Sequence, residues 1–471
     1  MSASLGELLA GVGLPTLAGH ARLTGAEPVL RSSFRVDAAA QASIAASGLA
    51  AAAIHAARGA PMQTVACDMR AAAVEFRSER HLRRGDETPK DPWDSIAGLY
   101  PTRDGFVRLH TNFAHHRDAV LAVLGCANSR GAVAAALAQR DAVAFETEAT
   151  ARGCCVSAFR THAQWLAHPQ SDALAAQPLV AIERIGAAPP TRLPAAAARP
   201  LAGLRVLDLT RVIAGPVAGR TLAAHGADVL HITAPHLPSI ETLVMDTGRG
   251  KRNASLDLRR EGARFAELVA GADALLRSYR DGALAGLGFS DETLAELRPG
   301  IVIGHLSAYG VAGPWGGKRG FDSLTQTSTG FNADEADAAN SQTGSAVGAQ
   351  TGSAGGPRVL PCQALDHASG YLLAMGVMAA WLRRAEEGGS WRVRVSLART
   401  GLWLRTLGRI DGFAAAEPTQ ADIADLLETH PSGFGPLTAV RHAAILADTP
   451  AFEALPAMPL GSHAAEWLTQ S

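Results

Sequence analysis

The chain has 471 residues, of which 47% are hydrophobic and 18% charged, a composition that can bury two or three compact cores. Its 43 Lys and Arg residues and 44 Asp and Glu residues leave a formal net charge of -1, which excludes a general electrostatic attraction to nucleic acid or anionic membranes. A small, neutral or locally bound ligand fits this charge better.

The start of the chain predicts a cytoplasmic protein, because residues 1–23 lack the basic segment and continuous apolar run of a secretion signal. The apolar run at 38–57 is mostly Ala and includes Gln41 and His55, so it predicts a buried helix of a soluble protein and not a membrane span. The cysteines form no CxxC pair and no cluster with His, and predict neither a zinc site nor a disulfide framework. They are Cys67, Cys126, Cys154, Cys155 and Cys362.

A Pro- and Ala-rich segment at 187–200 predicts a linker between two halves of the chain. Beyond it, residues 203–232 have the pattern of a strand, a Gly-Pro turn, a helix and a second strand, which is a βαβ unit. Helix and strand patterns alternate again at 261–276 and 292–310. This alternation predicts a mainly parallel sheet covered on both faces, with a ligand site at the carboxyl ends of its strands.

Residues 341–357 are rich in Gly, Ser and Gln, which is typical of either a mobile flap or a flexible linker. The long apolar segment at 360–384 follows and places Asp366 at the predicted start of a helix. One interpretation, which the sequence alone favours, is that Asp366 accepts hydrogen bonds from the first free N–H groups of that helix. The other is that Asp366 is a positioned nucleophile or base in an apolar site.

An internal repeat relates residues 36–69 to residues 365–398. Each segment contains an Asp, an Ala-rich helix pattern, a turn with Gly and a short strand pattern. The register slips by one residue between the acids, Asp37 and Asp366, and the helical glycines that follow them. Chance similarity between two Ala-rich helices is the alternative explanation.

Nucleotide, hydrolase and metal motifs are missing from the sequence. The turn GPVAG at 215–219 is not a GxGxxG fingerprint, and at 310–319 Ala312 and Arg319 replace residues that a P-loop requires. No GxSxG or HExxH motif occurs. His115 and His116 are adjacent, so their side chains point in different directions, which predicts surface polar residues and a poor metal pair.

Basic residues gather in the second half of the chain, where they predict either a solvated surface or a site for a phosphorylated ligand. They are the cluster at 249–260 together with Arg277, Arg280, Lys318 and Arg319.

Five segments in this order resemble the family III coenzyme A transferases, which include formyl-CoA and carnitine-CoA transferases and α-methylacyl-CoA racemase. The segments are 206–232, 248–259, 277–289, 313–330 and 365–384. The resemblance implies that Asp366 is the catalytic Asp of an acyl-CoA:carboxylate CoA-transferase, which passes through a mixed anhydride and an aspartyl-CoA thioester. It also implies CoA as a substrate and not a permanent cofactor, a carboxylic acid as the second substrate, and the interlocked homodimer of this family. The CoA groove that it implies is lined by Val212, Leu256, Arg259, Ser278, Tyr279, Arg319 and Phe321.

The order of segments departs from this family, because residues 99–125 and 168–186 resemble a small domain and a return segment that normally follow the catalytic helix. We therefore expect a rearranged chain, either permuted or a fused duplicate. The predicted fold class is α/β, with a mainly parallel, Rossmann-like sheet domain and a second, smaller α+β domain. The predicted divisions are a helix-strand unit at 1–80, a small domain and return segment at 81–198, the Rossmann-like domain at 199–400, and a tail of uncertain placement at 401–471.

Two other functions stay open. A racemase needs a second acid or base, usually a His at the position where Phe321 stands, so a transferase is favoured unless Asp322 substitutes. A non-catalytic CoA-binding protein is suggested by the absence of a basic residue after HITAP at 231–235 and by Gly286, which stands where formyl-CoA transferase has Arg.

Overall fold

The computed structural model describes residues 2–87, 93–195, 198–343 and 356–468, which form one seven-stranded sheet and three three-stranded sheets. Residues 344–355 of the predicted flap or linker lie outside the described residues. The helices are α1 (Ser2–Gly11), α2 (Val36–Ala57), α3 (Met69–Glu75), α4 (Ser78–His81), α5 (Ala114–Leu124), α6 (Arg130–Leu137), α7 (Ala142–Ala151), α8 (His162–Leu166), α9 (Pro169–Ala175), α10 (Ala214–Ala224), α11 (Glu241–Thr247), α12 (Gly262–Ala270), α13 (Asp291–Leu297), α14 (Asp322–Ser328), α15 (Phe331–Thr343), α16 (Ala364–Glu387) and α17 (Leu397–Thr406). The strands are β1 (Ala21–Thr24), β2 (Val65–Asp68), β3 (Arg83–Arg84), β4 (Gly98–Pro101), β5 (Phe106–Leu109), β6 (Val156–Ala158), β7 (Ala181–Gly186), β8 (Arg205–Leu209), β9 (Asp228–Thr233), β10 (Arg252–Ser255), β11 (Ala274–Arg277), β12 (Val302–Ser307), β13 (Ser390–Ser396), β14 (Leu427–His430), β15 (Leu437–Val440) and β16 (Ala444–Leu446).

The seven-stranded sheet has the order β10-β9-β8-β11-β12-β13-β7. Its first six strands are parallel, and β7 pairs with β13 in the antiparallel direction. The four-residue strand β11 is wholly buried, as expected for a strand covered by helices on both faces. The predicted mainly parallel α/β sheet is therefore confirmed.

Segments from both ends of the chain meet in two of the three smaller sheets. The order is β1-β2-β16 in one, β14-β15-β3 in the second and β4-β5-β6 in the third. The tail, which the sequence left unplaced, thus returns to the first half, where β16 pairs with β2 and β15 pairs with β3. The return segment also contributes β7 to the seven-stranded sheet, so the two halves share sheets.

The two repeated segments form similar units at the centre of the largest hydrophobic core. Helix α2 packs against α16, and each helix is followed by a strand that packs against it, β2 or β13. A Cβ at Gly48 would lie 3.0 Å from Val65 of β2, and one at Gly376 would lie 2.6 Å from Val393 of β13. The two glycines therefore serve the same purpose, which is to let a helix approach its strand closely.

Among the described residues, α2 is the one helix long and apolar enough to cross a membrane, and 94% of its apolar window is buried inside the protein. Its Ala-rich surface packs on α16 and on the strands around it. This is the setting of a core helix that is apolar all round.

Candidate active site

Asp366 lies inside the first turn of α16 and is 7% exposed. It does not cap the helix, because Asp322 at the start of α14 takes that role. The Asp322 carboxylate accepts the backbone N–H groups of Leu365 and Asp366, at 2.8 and 3.0 Å. The interpretation of Asp366 as the cap is wrong, since the helix already begins at Ala364 and its free N–H groups have another acceptor. The carboxyl group of Asp366 is left for another use.

Burial raises the pKa of Asp366 well above its ordinary value, and the neighbouring carboxylates of Asp322 and Glu79 raise it further. Burial also raises the pKa of Asp322, to about 6, but the hydrogen bonds that it accepts from the backbone and from Gln326 oppose that rise. Burial opposes the charge of Glu79 as well, yet its hydrogen bond with His367, at 3.1 Å, helps to lower its pKa to about 2. Asp322 accepts backbone hydrogen bonds that favour its ionised form, whereas burial and the neighbouring carboxylates both favour the protonated form of Asp366.

This arrangement makes the pH dependence of any Asp366 chemistry testable with the variant Asp322→Asn. A nucleophilic Asp366 must be ionised, so its activity rises as pH rises through its elevated pKa. Removal of the Asp322 charge lowers that pKa, and we expect the acid limb of the kcat/KM profile to move to lower pH by about one unit. An unmoved limb, or one that moves to higher pH, would contradict the coupling. The matched control is Asp281→Asn, which neutralises a half-exposed carboxylate that lies 3.5 Å from Arg277.

Two cavities meet at Asp366. The first, named here the polar cleft, has a volume of about 350 Å³ and lies at the carboxyl ends of β8, β11 and β12. Five of the predicted CoA-groove residues line it together with Asp366, and they are Val212, Ser278, Tyr279, Arg319 and Phe321. Its other cationic residues include Arg211 and Arg280.

The structure places two predicted groove residues outside the polar cleft. Leu256 is 2% exposed and belongs to the hydrophobic core beside β10. Arg259 is exposed, and its guanidinium contacts the Asp257 carboxylate at 2.8 Å and the His236 ring. Neither side chain faces Asp366 across a cavity.

The second cavity, named here the acyl cavity, has a volume of about 380 Å³. It shares Val212, Ile213, Phe321 and Asp366 with the polar cleft. Its remaining wall combines apolar residues of the second half with residues of the first half, among them Glu79, Arg80, Arg83, Trp93, His110, Ile240 and Leu243. Asp366 is therefore open to two chambers, and the second combines an apolar wall with charged and polar residues.

Val212 stands at the junction in a strained backbone conformation, with φ +74°. A β-branched residue at positive φ costs on the order of 1–3 kcal/mol and persists only where surrounding contacts hold it. Just before Val212, the Asp208 carboxylate accepts hydrogen bonds from the backbone N–H and hydroxyl of Thr210 and from the buried Lys251 ammonium, at 2.8 Å for the latter. Backbone strain of this kind is common at functional sites.

Most of the clustered basic residues are neither on a solvated surface nor available to phosphate, so both interpretations fail for them. Arg249, Lys251 and Arg252 are buried and paired with Asp246, Asp208 and Asp228. Arg277 is paired with Asp291 and Lys318 with Glu146. Among the described residues, Arg211, Arg280 and Arg319 have no carboxylate within 4.0 Å, and all three line the polar cleft.

The prediction of two surface histidines is wrong for one of them. His115 is exposed, whereas His116 is buried, with its ring 5.9 Å from that of Phe321. Burial lowers the pKa of His116 to about 3. Among the residues that the structure describes, no group of three or more His, Cys, Asp and Glu side chains could hold a metal ion.

Sequence reasoning missed the residues that the first half contributes to the site. Glu79, Trp93 and His110 reach the acyl cavity from segments that lie between 256 and 287 residues before Asp366. The His110 ring stacks on Phe321 with centroids 3.7 Å apart. One sequence signal pointed to this region, which is the resemblance of residues 99–125 to a small domain. That resemblance did not predict that any of these residues lies near Asp366.

The chain is thus an α/β protein with a buried carboxyl group at the meeting point of two cavities. Residues 201–434 match the model of CoA-transferase family III. This region therefore belongs to that family, which confirms the predicted resemblance and the predicted enzyme family for residues 201–434.

The curated relatives carry related names. The chain is 33% identical over 225 residues to acetyl-coenzyme A transferase nodX of Hypoxylon pulicicidum. The aligned region covers 46% of this chain and 36% of that protein. It is 32% identical over 215 residues to the probable fatty acyl-CoA transferase Rv3272 of Mycobacterium tuberculosis, with 42% and 51% covered. It is 28% identical over 246 residues to a formyl-CoA:oxalate CoA-transferase of Streptomyces coelicolor, with 48% and 56% covered.

A crystal structure of Rv3272 aligns with a TM-score of 0.37 and 30% identity, covering 47% of this chain and 58% of that chain. The matched parts of the three curated relatives amount to between 36% and 56% of their own lengths.

Proposed function

We propose that the chain is an acyl-CoA:carboxylate CoA-transferase in which Asp366 is the nucleophile. The observation that carries this proposal is the position of Asp366, buried at the junction of two cavities that together can hold a CoA thioester and a carboxylic acid. The family membership of residues 201–434 supports it, because the acid before the long helix is the catalytic Asp implied by the resemblance.

The reaction begins when the ionised Asp366 attacks the thioester carbonyl carbon and expels the CoA thiolate, which forms a mixed anhydride. The thiolate then attacks the Asp366 carbonyl carbon of that anhydride, releases the donor carboxylate and leaves an aspartyl-CoA thioester. The acceptor carboxylate repeats the same two steps in reverse, so that CoA leaves on the acceptor and Asp366 is regenerated. Asp366 lies in the first turn of α16, where the helix dipole favours negative charge, although the N–H groups of Leu365 and Asp366 are bound to Asp322.

CoA binding falls to the polar cleft in this proposal. Arg211, Arg280 and Arg319 lack carboxylate partners among the described residues, so their guanidinium groups can contact phosphate oxygens. Burial lowers the pKa of Arg211, but a guanidinium stays charged at neutral pH. Val212, Ser278, Tyr279 and Phe321 complete the walls of the cleft. CoA is a substrate here and no permanently bound cofactor is proposed.

We expect Arg319→Gln to weaken CoA binding about tenfold, because a charge-assisted contact to phosphate contributes roughly 1.5–3 kcal/mol. The comparison variant is Arg259→Gln, which removes an equal charge that lies outside the cleft and contacts Asp257. Isothermal titration with free CoA measures both variants. Equal losses in the two variants, or a loss only in Arg259→Gln, would contradict the assignment of the polar cleft to CoA.

The racemase alternative gains one observation, since a His does lie against Phe321. His110 lines the acyl cavity with Asp366, although it comes from the first half of the chain. Burial, followed by the charge of Arg108, lowers the pKa of His110 well below its ordinary value, which makes it a weak base. Asp322 is engaged as the cap of α16 and does not substitute for the missing His. Transfer is therefore the better supported function.

One experiment separates these functions. The protein is incubated in D2O with a pool of acyl-CoAs and carboxylic acids, and the products are identified by mass spectrometry. New CoA thioesters of the added acids, formed with ping-pong kinetics, support the transferase. Deuterium at the α-carbon of the donor acyl group, without new thioesters, supports proton transfer. Bound CoA with neither product supports the non-catalytic alternative.

The finer features of the proposal are the Rossmann-like character of the sheet, the homodimer, its possible interlocking and the cytoplasmic location. These stay predictions. Within one chain, residues of the first half already line the acyl cavity, among them Glu79, Trp93 and His110.

A further inference from the structure

We propose that Glu146 is a positioning residue for CoA binding, because it anchors the loop that carries Arg319 into the polar cleft. The inference rests on the proposed function, which assigns that cleft to CoA, and it adds a residue of the first half of the chain to the site. The loop consists of residues 309–320 and is named here the cleft loop. Six of its residues line the polar cleft, and they are Gly310, Gly316, Gly317, Lys318, Arg319 and Gly320.

The cleft loop depends on outside contacts for its shape. The structure describes all twelve of its residues, and none of them belongs to a helix or strand. Five of the twelve are Gly, which gives the backbone many alternative conformations. A loop of this composition keeps one conformation only where neighbouring elements hold it.

The first half of the chain holds the start of the cleft loop through Gln170 of α9, which is fully buried. The Gln170 Nε2 group donates to the carbonyls of Tyr309 and Ala312, at 2.7 and 2.8 Å. Its Oε1 atom accepts the backbone N–H of Trp315 at 2.7 Å. Gly313 has φ +80°, and a Cβ there would lie 2.6 Å from the Gln170 Oε1 atom, so the glycine allows this close approach.

Glu146 of α7 holds the end of the same loop. Its Oε1 atom accepts a hydrogen bond from the Lys318 ammonium at 2.6 Å, and its Oε2 atom accepts one from Arg160. The three side chains are only 5–9% exposed. Burial opposes the charge of Glu146, yet Lys318 and Arg160 hold its pKa below the ordinary value. Glu146 is therefore ionised at neutral pH and binds both cations.

Arg319 follows Lys318 in the chain and contacts the end of the same helix. Its Nη1 group donates to the carbonyl of Gly153, two residues after α7 ends at Ala151. Its other N–H groups have no acceptor among the residues that the structure describes, so they remain for phosphate. The Lys318 anchor thus lies next to the guanidinium that binds phosphate in the proposed function. Loss of the anchor would let Arg319 leave its place in the cleft.

A direct contact between Lys318 and phosphate is the competing role, since Lys318 also lines the polar cleft. The Lys318 ammonium is held from two sides, by Glu146 and by the Trp315 ring, whose centroid lies 3.7 Å away. The two roles predict opposite effects when the Glu146 charge is removed. A phosphate ligand that is freed from Glu146 would bind CoA more tightly, whereas a lost anchor weakens CoA binding.

The test measures the Kd of free CoA and of pantetheine, which has no phosphate groups, by isothermal titration of Glu146→Gln. We expect the Kd of CoA to rise by about five- to tenfold, because the affected contacts are charge-assisted hydrogen bonds to phosphate. The Kd of pantetheine should stay unchanged. The matched control is Glu148→Gln on the same helix, because its carboxylate pairs with Arg140 and Arg152 and not with the cleft loop. This control should bind CoA as the unsubstituted protein does.

A second variant, Glu146→Asp, covers the case in which Glu146→Gln does not fold. It keeps a negative charge between the two buried cations and shortens the side chain that reaches Lys318. We expect a smaller rise in the Kd of CoA, again without a change for pantetheine. An unchanged or lower Kd of CoA in Glu146→Gln would overturn the inference. Equal weakening of CoA and pantetheine would also overturn it, because a general loosening of the fold produces that result.

Failure of the inference is distinguishable from failure of the proposed function. Transfer activity with a CoA affinity that does not depend on Glu146 would overturn the inference and leave the transferase standing. The expected pattern of CoA and pantetheine binding, without transfer of CoA to any acid, would support the inference and overturn the transferase.

Discussion

Asp366→Asn is expected to reduce CoA transfer by at least about a thousandfold, because an amide cannot form the anhydride or the thioester. The substitution preserves the shape of the side chain and removes its ionisable group. The pKa of that group is raised by burial and by two neighbouring carboxylates. CoA binding should change little, since the cationic residues of the polar cleft are untouched. Steady-state kinetics with a competent donor and acceptor, combined with titration of CoA, measures both properties.

The internal repeat supplies a matched control for this experiment. Asp37 stands near the start of α2 as Asp366 does at α16, but it accepts the backbone N–H groups of Val29 and Leu30. It lines neither of the two cavities. Asp37→Asn should therefore leave turnover within a factor of about three, because Asn can still accept those hydrogen bonds. Residual activity of Asp366→Asn near that of Asp37→Asn would remove Asp366 from the mechanism.

Asp208→Ala is expected to lower the free energy of unfolding by about 3–5 kcal/mol, because it leaves the Lys251 ammonium buried without its partner. Asp208 is wholly buried and contacts the Lys251 Nζ atom at 2.8 Å. Burial opposes the charge of Asp208, but Lys251 and then His231 hold its pKa below the ordinary value. The same carboxylate accepts the Thr210 hydrogen bonds that hold the turn before Val212. Equilibrium unfolding in urea measures the loss.

The double variant Asp208→Ala with Lys251→Met distinguishes a buried-charge penalty from a loss of packing. Removal of both charges should recover much of the stability, since replacement of a buried ion pair by apolar groups is often close to neutral. A double variant as unstable as the single one would instead assign the loss to the turn at Thr210 and Val212. Transfer activity should fall in both variants if that turn positions the junction of the cavities.

The sequence predicts the sheet well because the information is local. Strands such as β8 and β11 are short apolar runs next to helix patterns. The alternation of the two patterns along the chain predicts a parallel sheet. The prediction that Asp366 is catalytic comes from the ordered segments of the resemblance, not from its position before a helix. The residue that caps α16, Asp322, lies 44 residues before Asp366, and no local sequence pattern connects these two residues.

The sequence could not predict which charged side chains pair with each other. The basic run at 249–260 looked available for phosphate, yet Lys251 finds Asp208 across 43 residues, and Arg252 finds Asp228 across 24. The same limit hid the wall of the acyl cavity, since Arg83 and His110 reach Asp366 only through tertiary folding. Which cations are free, and therefore which ligand they can bind, follows from contacts between distant segments.

The most direct test is peptide mass spectrometry of Asp366 after the protein is incubated with a pool of acyl-CoAs and then treated with hydroxylamine. An anhydride or thioester at Asp366 reacts with hydroxylamine to give a hydroxamate, and we expect that adduct on the peptide that contains Asp366 and not on the one that contains Asp37. The adduct should depend on the acyl-CoA and be absent from Asp366→Asn. An unmodified Asp366 peptide in protein that binds CoA and forms new CoA esters would contradict the covalent mechanism.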